Sequence, residues 1–147
     1  MLEEQVQDVQ TYSSLKAVLE RMLQATNRHD LDAMVACFAP DFRSEQPLHP
    51  ERDFTGQAGV RKNWSFFFTT IPDIQVDILN EVEEGDTVWA ELYYHGIQTD
   101  GKRFSIKGVT IQGIQDGQIC WARLYIETVQ EPHLILQPHL ARNIRQR

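Results

Sequence analysis

Glutamate, histidine and tyrosine recur at alternate positions in the second half of the chain. They are side chains that acid/base chemistry can use: a base to take a proton, and a donor for an oxygen that gains charge. The candidates for that chemistry are Glu127 as acid/base, His95 as its proton partner and Tyr93 as a donor. Tyr125, Arg123, Glu91, Thr110, Gln112 and Trp121 alternate with apolar residues around them and are expected to contact a substrate.

Two turn signals would position this set. Thr99-Asp100-Gly101-Lys102 and Gln115-Asp116-Gly117-Gln118 each place Asp-Gly between alternating runs, the strongest local signal for a two-residue hairpin turn. With two-residue turns in both places, His95 faces Ile106 and then Glu127, Tyr93 faces Gly108 and then Tyr125, and Glu91 faces Thr110 and then Arg123. Period-two alternation puts all of these on one face. The other face is aliphatic: Val88, Ala90, Leu92, Val109, Ile111, Ala122, Leu124 and Ile126. The polar face, with its bulky aromatics, is expected to line a pocket, and the aliphatic face, through Leu92, Val109, Ile111 and Leu124, to form a homodimer contact. The converse, with the aliphatic face under the helices, remains open.

Composition narrows the classes of partner. A chain of 147 residues can bury one core without staples, and 41% hydrophobic with 24% charged residues suits a globular protein. A net charge of −7 disfavours nucleic acid and anionic membranes as partners. Cys37 and Cys120 lie in apolar segments and read as reduced, buried thiols. The N-terminal segment has no apolar signal core, so a cytoplasmic protein is expected. The five histidines show no metal-ligand spacing, and no phosphate loop or dinucleotide fingerprint is present, so neither metal nor organic cofactor is expected. His49-Pro50 reads either as part of a pocket lip or as a solvated loop.

The elements come in the order helices, then strands. Leu15, Val18, Leu19, Met22, Leu23 and Thr26 recur at helical spacing, with Ser13 or Ser14 as cap. Asp30 caps a second helix carrying Leu31, Met34, Val35 and Phe38, which Pro40 stops. A short extended piece at 42–48 precedes a third helix at 56–69, whose Trp64 can line a pocket. Strands are predicted at 74–83, 87–98, 103–115 and 118–129. Helices first and a meander afterwards imply an α+β fold in which a curved sheet wraps around three helices. Residues 1–12 read as a flexible N-terminus. The tail 131–147, with Arg142, Arg145 and Arg147 against the single acid Glu131, reads as docking on its own body or on a sister subunit.

Several stretches in this order resemble the nuclear transport factor 2-like superfamily in its SnoaL-like branch. They are Asn27-Arg28-His29-Asp30-Leu31-Asp32-Ala33-Met34, Phe38-Ala39-Pro40-Asp41-Phe42, Thr55-Gly56 with Val60-Arg61, Asp100-Gly101-Lys102 and Asp116-Gly117-Gln118-Ile119. The resemblance spans roughly Ser14 to Thr128 and implies a single cone domain over 13–130, with a mixed or antiparallel sheet around one deep pocket. Ketosteroid isomerases of the superfamily need a carboxylate base, a phenol and a protonated acid. Their positions fall here at Gln46, Met22 and Thr110, so that chemistry is not implied, although Met22 and Thr110 would still line the pocket. The Asp-Arg-Asp set of limonene epoxide hydrolases is also missing. The acid/base position of SnoaL-like cyclases matches Glu127, with Glu in place of Asp. The implied function is a small protein with a hydrophobic ligand pocket, as a cofactor-independent cyclase, dehydratase or isomerase acting on a hydrophobic carbonyl compound. The alternative is a non-catalytic binding or dimerisation module.

Overall fold

The structure is a computed structural model that describes residues 15–130. The expected helix cap at Ser13 or Ser14, the N-terminal stretch 1–12 and the tail 131–147 lie outside the described residues. Helix α1 spans Leu15–Asn27 and α2 spans Leu31–Ala36. Strand β1 spans Phe38–Glu45, followed by a single 3-10 turn at Pro50–Arg52 and a two-residue strand β2, Phe54–Thr55. Helix α3 is Gly56–Thr70, and then come β3 (Gln75–Glu84), β4 (Thr87–Ile97), β5 (Arg103–Gln115) and β6 (Gln118–Thr128). The strands form one mixed sheet in the order β2-β1-β6-β5-β4-β3, in which only β1 and β6 run parallel. This is the expected α+β architecture, an open sheet curved around three helices.

The helices follow from their patterns. Val18, Leu19, Met22, Leu23 and Thr26 of α1 are all buried, on one stripe facing the sheet. Asp30 caps α2 by accepting a hydrogen bond from the Ala33 amide at 3.1 Å. Asn27 closes α1 onto β3 by pairing both ways with the Val76 backbone, at 3.0 and 2.7 Å. Pro40 does not end a helix as expected. The chain is already extended at Phe38, and Pro40 falls in the stretch where the β1–β6 register shifts, a place that tolerates its missing N–H.

The expected hairpin register is corrected at both turns. In the first, Gln98 pairs with Lys102 around three residues, Thr99, Asp100 and Gly101, with only Gly101 at positive φ (+85°). Asp-Gly here closes a three-residue loop, which suits a glycine in the left-handed region as well as the two-residue turn does. One extra residue slides β5 by one against β4, so Ala90 faces Thr110, Leu92 faces Gly108 and Tyr94 faces Ile106. The second turn is the expected two-residue one, with Asp116 at φ +53° and Gly117 at +72°. Beyond it a bulge between Gly113 and Ile114 leaves Cys120 unopposed, and the register slips again: Gly113 faces Trp121 and Gln112 faces Ala122.

A slip of one residue turns every side chain to the other face. The inner face therefore combines Val88, Ala90, Leu92 and Tyr94 with Thr110 and Gln112 and with Ala122, Leu124 and Ile126. Val88, Ala90 and Leu92 are buried under the helices together with Met34, Val76 and Ile119. The expected contact surface is corrected with it: Leu92 is fully buried and Leu124 faces the interior, so neither belongs to a surface with Val109 and Ile111, which lie on the outer face.

One carboxyl couples helix to sheet. Burial, and then the Glu20 carboxylate beside it, push Glu81 of β3 up to about 7 from the usual 4.5; Lys16 opposes this and Glu83 adds to it. A carboxyl raised on folding favours the folded state fully below about pH 4.5, and that advantage is lost as pH rises through about 7. Glu81→Gln is therefore expected to raise Tm by about 3 °C at pH 8, roughly 1 kcal/mol after allowance for partial solvent access, and by nothing at pH 5. Thermal melts at the two pH values check it; an equal shift at both would remove ionisation as the cause.

Candidate functional site

A cavity of about 350 Å³ opens between α3, β1 and the inner face of β5 and β6. Helix α3 contributes Val60, Asn63, Trp64 and Phe67, and its start is fixed by Gly56 at φ +81° and by Gln57, which donates to the Phe38 carbonyl at 2.8 Å. Phe38, Phe42 and Ser44 come from β1, Met22 from α1, and Phe104, Ile106, Leu124 and Ile126 from the sheet. Aromatic edges lock these walls: Phe38 and Phe42 meet at 4.6 Å, Trp64 and Tyr94 at 5.8 Å, Phe67 and Phe104 at 6.0 Å between ring centres. The size and the apolar lining with a few polar groups suit a small-molecule pocket.

The polar groups fall at two levels. Deep in the cavity, Gln112 and Ser44 are each 3% exposed, and the Gln112 Oε1 atom finds no partner among the described residues. Toward the other end, burial pushes the Tyr94 phenol far above its usual value, so it stays protonated and can donate. The mouth carries Gln46, Arg52, Glu127 and Thr128.

Glu127 is the only carboxylate lining the cavity among the described residues, and it is hydrogen-bonded to the Nε2 atom of His49. Its position follows from the sheet. β1 pairs with β6 only as far as Glu45 opposite Arg123, so beyond that point the edge of β6 is uncovered. Glu127, although on the outer side by register, reaches round that free edge to the loop at 46–53. The loop is held by the Gln46 amide, which donates to Asp53 Oδ1 at 2.7 Å, and by the 3-10 turn. His49 also lies 3.6 Å from Glu51.

Of the residues the sequence singled out, Glu127, Gln112, Trp64 and Met22 line this cavity. Thr110 is on the inner face and fully buried, but it does not reach the cavity, and its hydroxyl has no partner among the described residues. His95, Tyr93, Glu91, Trp121, Arg123 and Tyr125 lie on the outer face, because the three-residue loop and the bulge displaced β5 relative to both neighbours. There several of them are partnered by one another. Tyr93 stacks on His95 at 4.7 Å, with the Lys107 ammonium 4.7 Å from the Tyr93 ring. Arg123 covers Trp121 at 4.9 Å and reaches Glu45 at 3.4 Å. The expected companion of Glu127 is corrected accordingly: His95 Nε2 pairs with the Asp77 carboxylate at 3.0 Å, the carboxylate oxygen accepting, and the histidine beside Glu127 is His49.

Sequence reasoning missed Tyr94 and Ser44 as lining residues. Tyr94 follows Leu92 by two and so belonged to the aliphatic face, which was a usable signal. Ser44 had none, since its place depends on the parallel pairing of β1 with β6.

Comparison with known proteins agrees with this fold. The model of the SnoaL-like domain matches residues 19–122. Among solved structures, AclR from Streptomyces galilaeus, a candidate hydroxylase, superposes with a TM-score of 0.70 at 18% identity, covering 91% of this chain and 96% of that one. IdmH from Streptomyces antibioticus, a candidate polyketide cyclase, gives 0.66 at 19% over 78% and 91%. TsrD from Streptomyces laurentii gives 0.66 at 24% over 87% and 93%. At these identities the likeness is one of fold. No curated protein matches the sequence. Among the described residues no helix is long and apolar enough to cross a membrane.

Proposed function

The chain belongs to the SnoaL-like domain family, and on that premise we propose that its cavity holds a hydrophobic carbonyl compound and enolises it by cofactor-independent acid/base catalysis. One observation carries the reading: the single carboxylate lining the cavity among the described residues is held by a histidine, Glu127 by His49. The Glu127 carboxylate takes a proton from the carbon next to the carbonyl, and the C–H electron pair becomes the C=C bond of the enolate. The enolate oxygen accepts a hydrogen bond from Tyr94. Tyr94 faces Ile106, which faces Thr128, the neighbour of Glu127, so donor and base belong to the same end of the cavity. His49 acts as a positioning residue that holds the carboxylate toward the mouth. In a ring-closing reaction the enolate carbon would then attack a second carbonyl of the same molecule. Glu127 would return the proton to the new alkoxide.

Non-catalytic binding is favoured by one opposing fact: the Glu127 side chain is 55% exposed, and a base in contact with water has less to gain from the pocket. Exchange of the α-protons of α-tetralone in D₂O, followed by proton NMR, separates the two without knowledge of the natural substrate. Enolisation by Glu127 predicts exchange above background in the native protein. Glu127→Gln should reduce the acceleration by roughly 10²-fold or more while α-tetralone still binds. Background exchange with α-tetralone bound would make the protein a binder.

A further inference from the structure

The inner end of the cavity has a polar floor. The register aligns Ser44 of β1, Ala122 of β6 and Gln112 of β5 in one row across the sheet, all on the inner face. Ala122 between them ends at a methyl group, so the flanking Ser44 hydroxyl and Gln112 amide share an open gap. Both residues are 3% exposed and line the cavity, where the Gln112 oxygen has no partner among the described residues. A buried amide left unpaired is costly, and a fold that keeps one at a cavity wall leaves it to pair with what enters.

The charges of the site lie elsewhere. Arg52 and Glu127 are the only charged lining groups among the described residues, and both sit at the mouth on or against the 46–53 loop. From Gln112 to Ile106, opposite Tyr94, is six residues along β5, roughly 20 Å at about 3.3 Å per residue before curvature. The cavity is thus long, with a neutral polar inner end, aromatic walls and a charged mouth.

From this arrangement we propose that the Ser44–Gln112 row is a recognition subsite for an uncharged oxygen function, a hydroxyl, enol or carbonyl, at the leading end of an elongated hydrophobic ligand. The inference rests on the ligand-holding part of the function proposed above and fixes the ligand's orientation: neutral oxygen inward, reacting carbonyl toward Tyr94 and Glu127. A serine hydroxyl and a primary amide each donate and accept, so they satisfy a hydroxyl or a carbonyl equally. A carboxylate would meet no cation at that depth and is rejected by desolvation. A methyl group in the same place would leave the amide unpaired, which is how a polar site discriminates most strongly.

The test uses three probes of one shape: 2-naphthol, 2-methylnaphthalene and 2-naphthoate, with dissociation constants measured by equilibrium dialysis. The subsite predicts that 2-naphthol binds about tenfold or more tighter than either of the others. Gln112→Met keeps the side chain's length and removes its polar atoms. It should bring 2-naphthol and 2-methylnaphthalene to within about twofold of each other, mainly by weakening 2-naphthol. Ser44→Ala serves as a second variant should Gln112→Met fold poorly by circular dichroism, and should narrow the same ratio by at least about threefold. If all three probes bind but neither variant changes the ratio, or if 2-naphthoate binds tightest, the subsite is overturned while the pocket stands. If no probe binds the native protein, the pocket reading falls and the subsite with it. Because binding is read without turnover, loss of the α-tetralone exchange alone would leave this proposal intact.

Discussion

Gly108→Ala is expected to destabilise the protein by roughly 3 kcal/mol or more, a large share of the roughly 5–15 kcal/mol that holds a domain folded. Gly108 lies in the middle of β5 at φ +154°, in a conformation that favours glycine. A Cβ there would stand 2.1 Å from the Tyr125 carbonyl oxygen and 2.6 Å from the Ile126 Cα. Both are backbone atoms of the neighbouring strand, so no rotamer change can make room. In the sheet Gly108 stands between Leu92 of β4 and Ile126 of β6. Urea denaturation of the alanine variant measures the effect. A loss below about 1 kcal/mol would mean that β5 and β6 can separate here, and that the sheet does not depend on their close approach.

Leu92→Ala is expected to cost about 3 kcal/mol, within the usual range for a fully buried leucine. Val109→Ala, one strand over and on the outer face, is expected to cost no more than about 1 kcal/mol. The pair tests the face assignment directly. A sheet in the two-residue register would place Leu92 and Val109 on one face, and the two substitutions would then resemble each other. In the observed register Leu92 joins Val88 and Ala90 under the helices, among the residues of the core. Equal losses for the two variants would overturn the register, and with it the placement of Tyr94 and Gln112 in the cavity.

The order of helices and strands, and the limits of α1, α3 and β3 to β6, were legible in the sequence because they are local properties, whereas β1 begins at Phe38, four residues before the extended piece predicted there. Apolar spacing marked α1, Asp30 marked the start of α2, and the alternating runs marked β3 to β6 to within one or two residues. The family likeness was legible for the same reason, since its motifs are caps and turns. Of the residues singled out from the sequence, Glu127, Gln112, Trp64 and Met22 lie at the cavity wall, with a partner for Glu127 that the sequence did not suggest.

Tertiary structure alone decided which residues share a face. Asp-Gly fits a two-residue and a three-residue loop alike, and the choice at Thr99-Asp100-Gly101 depends on how β4 and β5 pack rather than on the turn itself. The bulge opposite Gly113 has a similar origin. A Cβ at Gly113 would meet the Trp121 indole at 2.0 Å, so the missing side chain gives the ring its place across the strands. Each slip is one residue, and with a period of two each turns a whole strand over. That is why His95 and Tyr93, correctly placed on a strand, lie on the outer side of the sheet. The pairing of His49 with Glu127 joins residues 78 apart through an edge that exists only because β1 stops at Glu45. Local sequence determines which strands form; long-range packing determines their register, and the register determines the site.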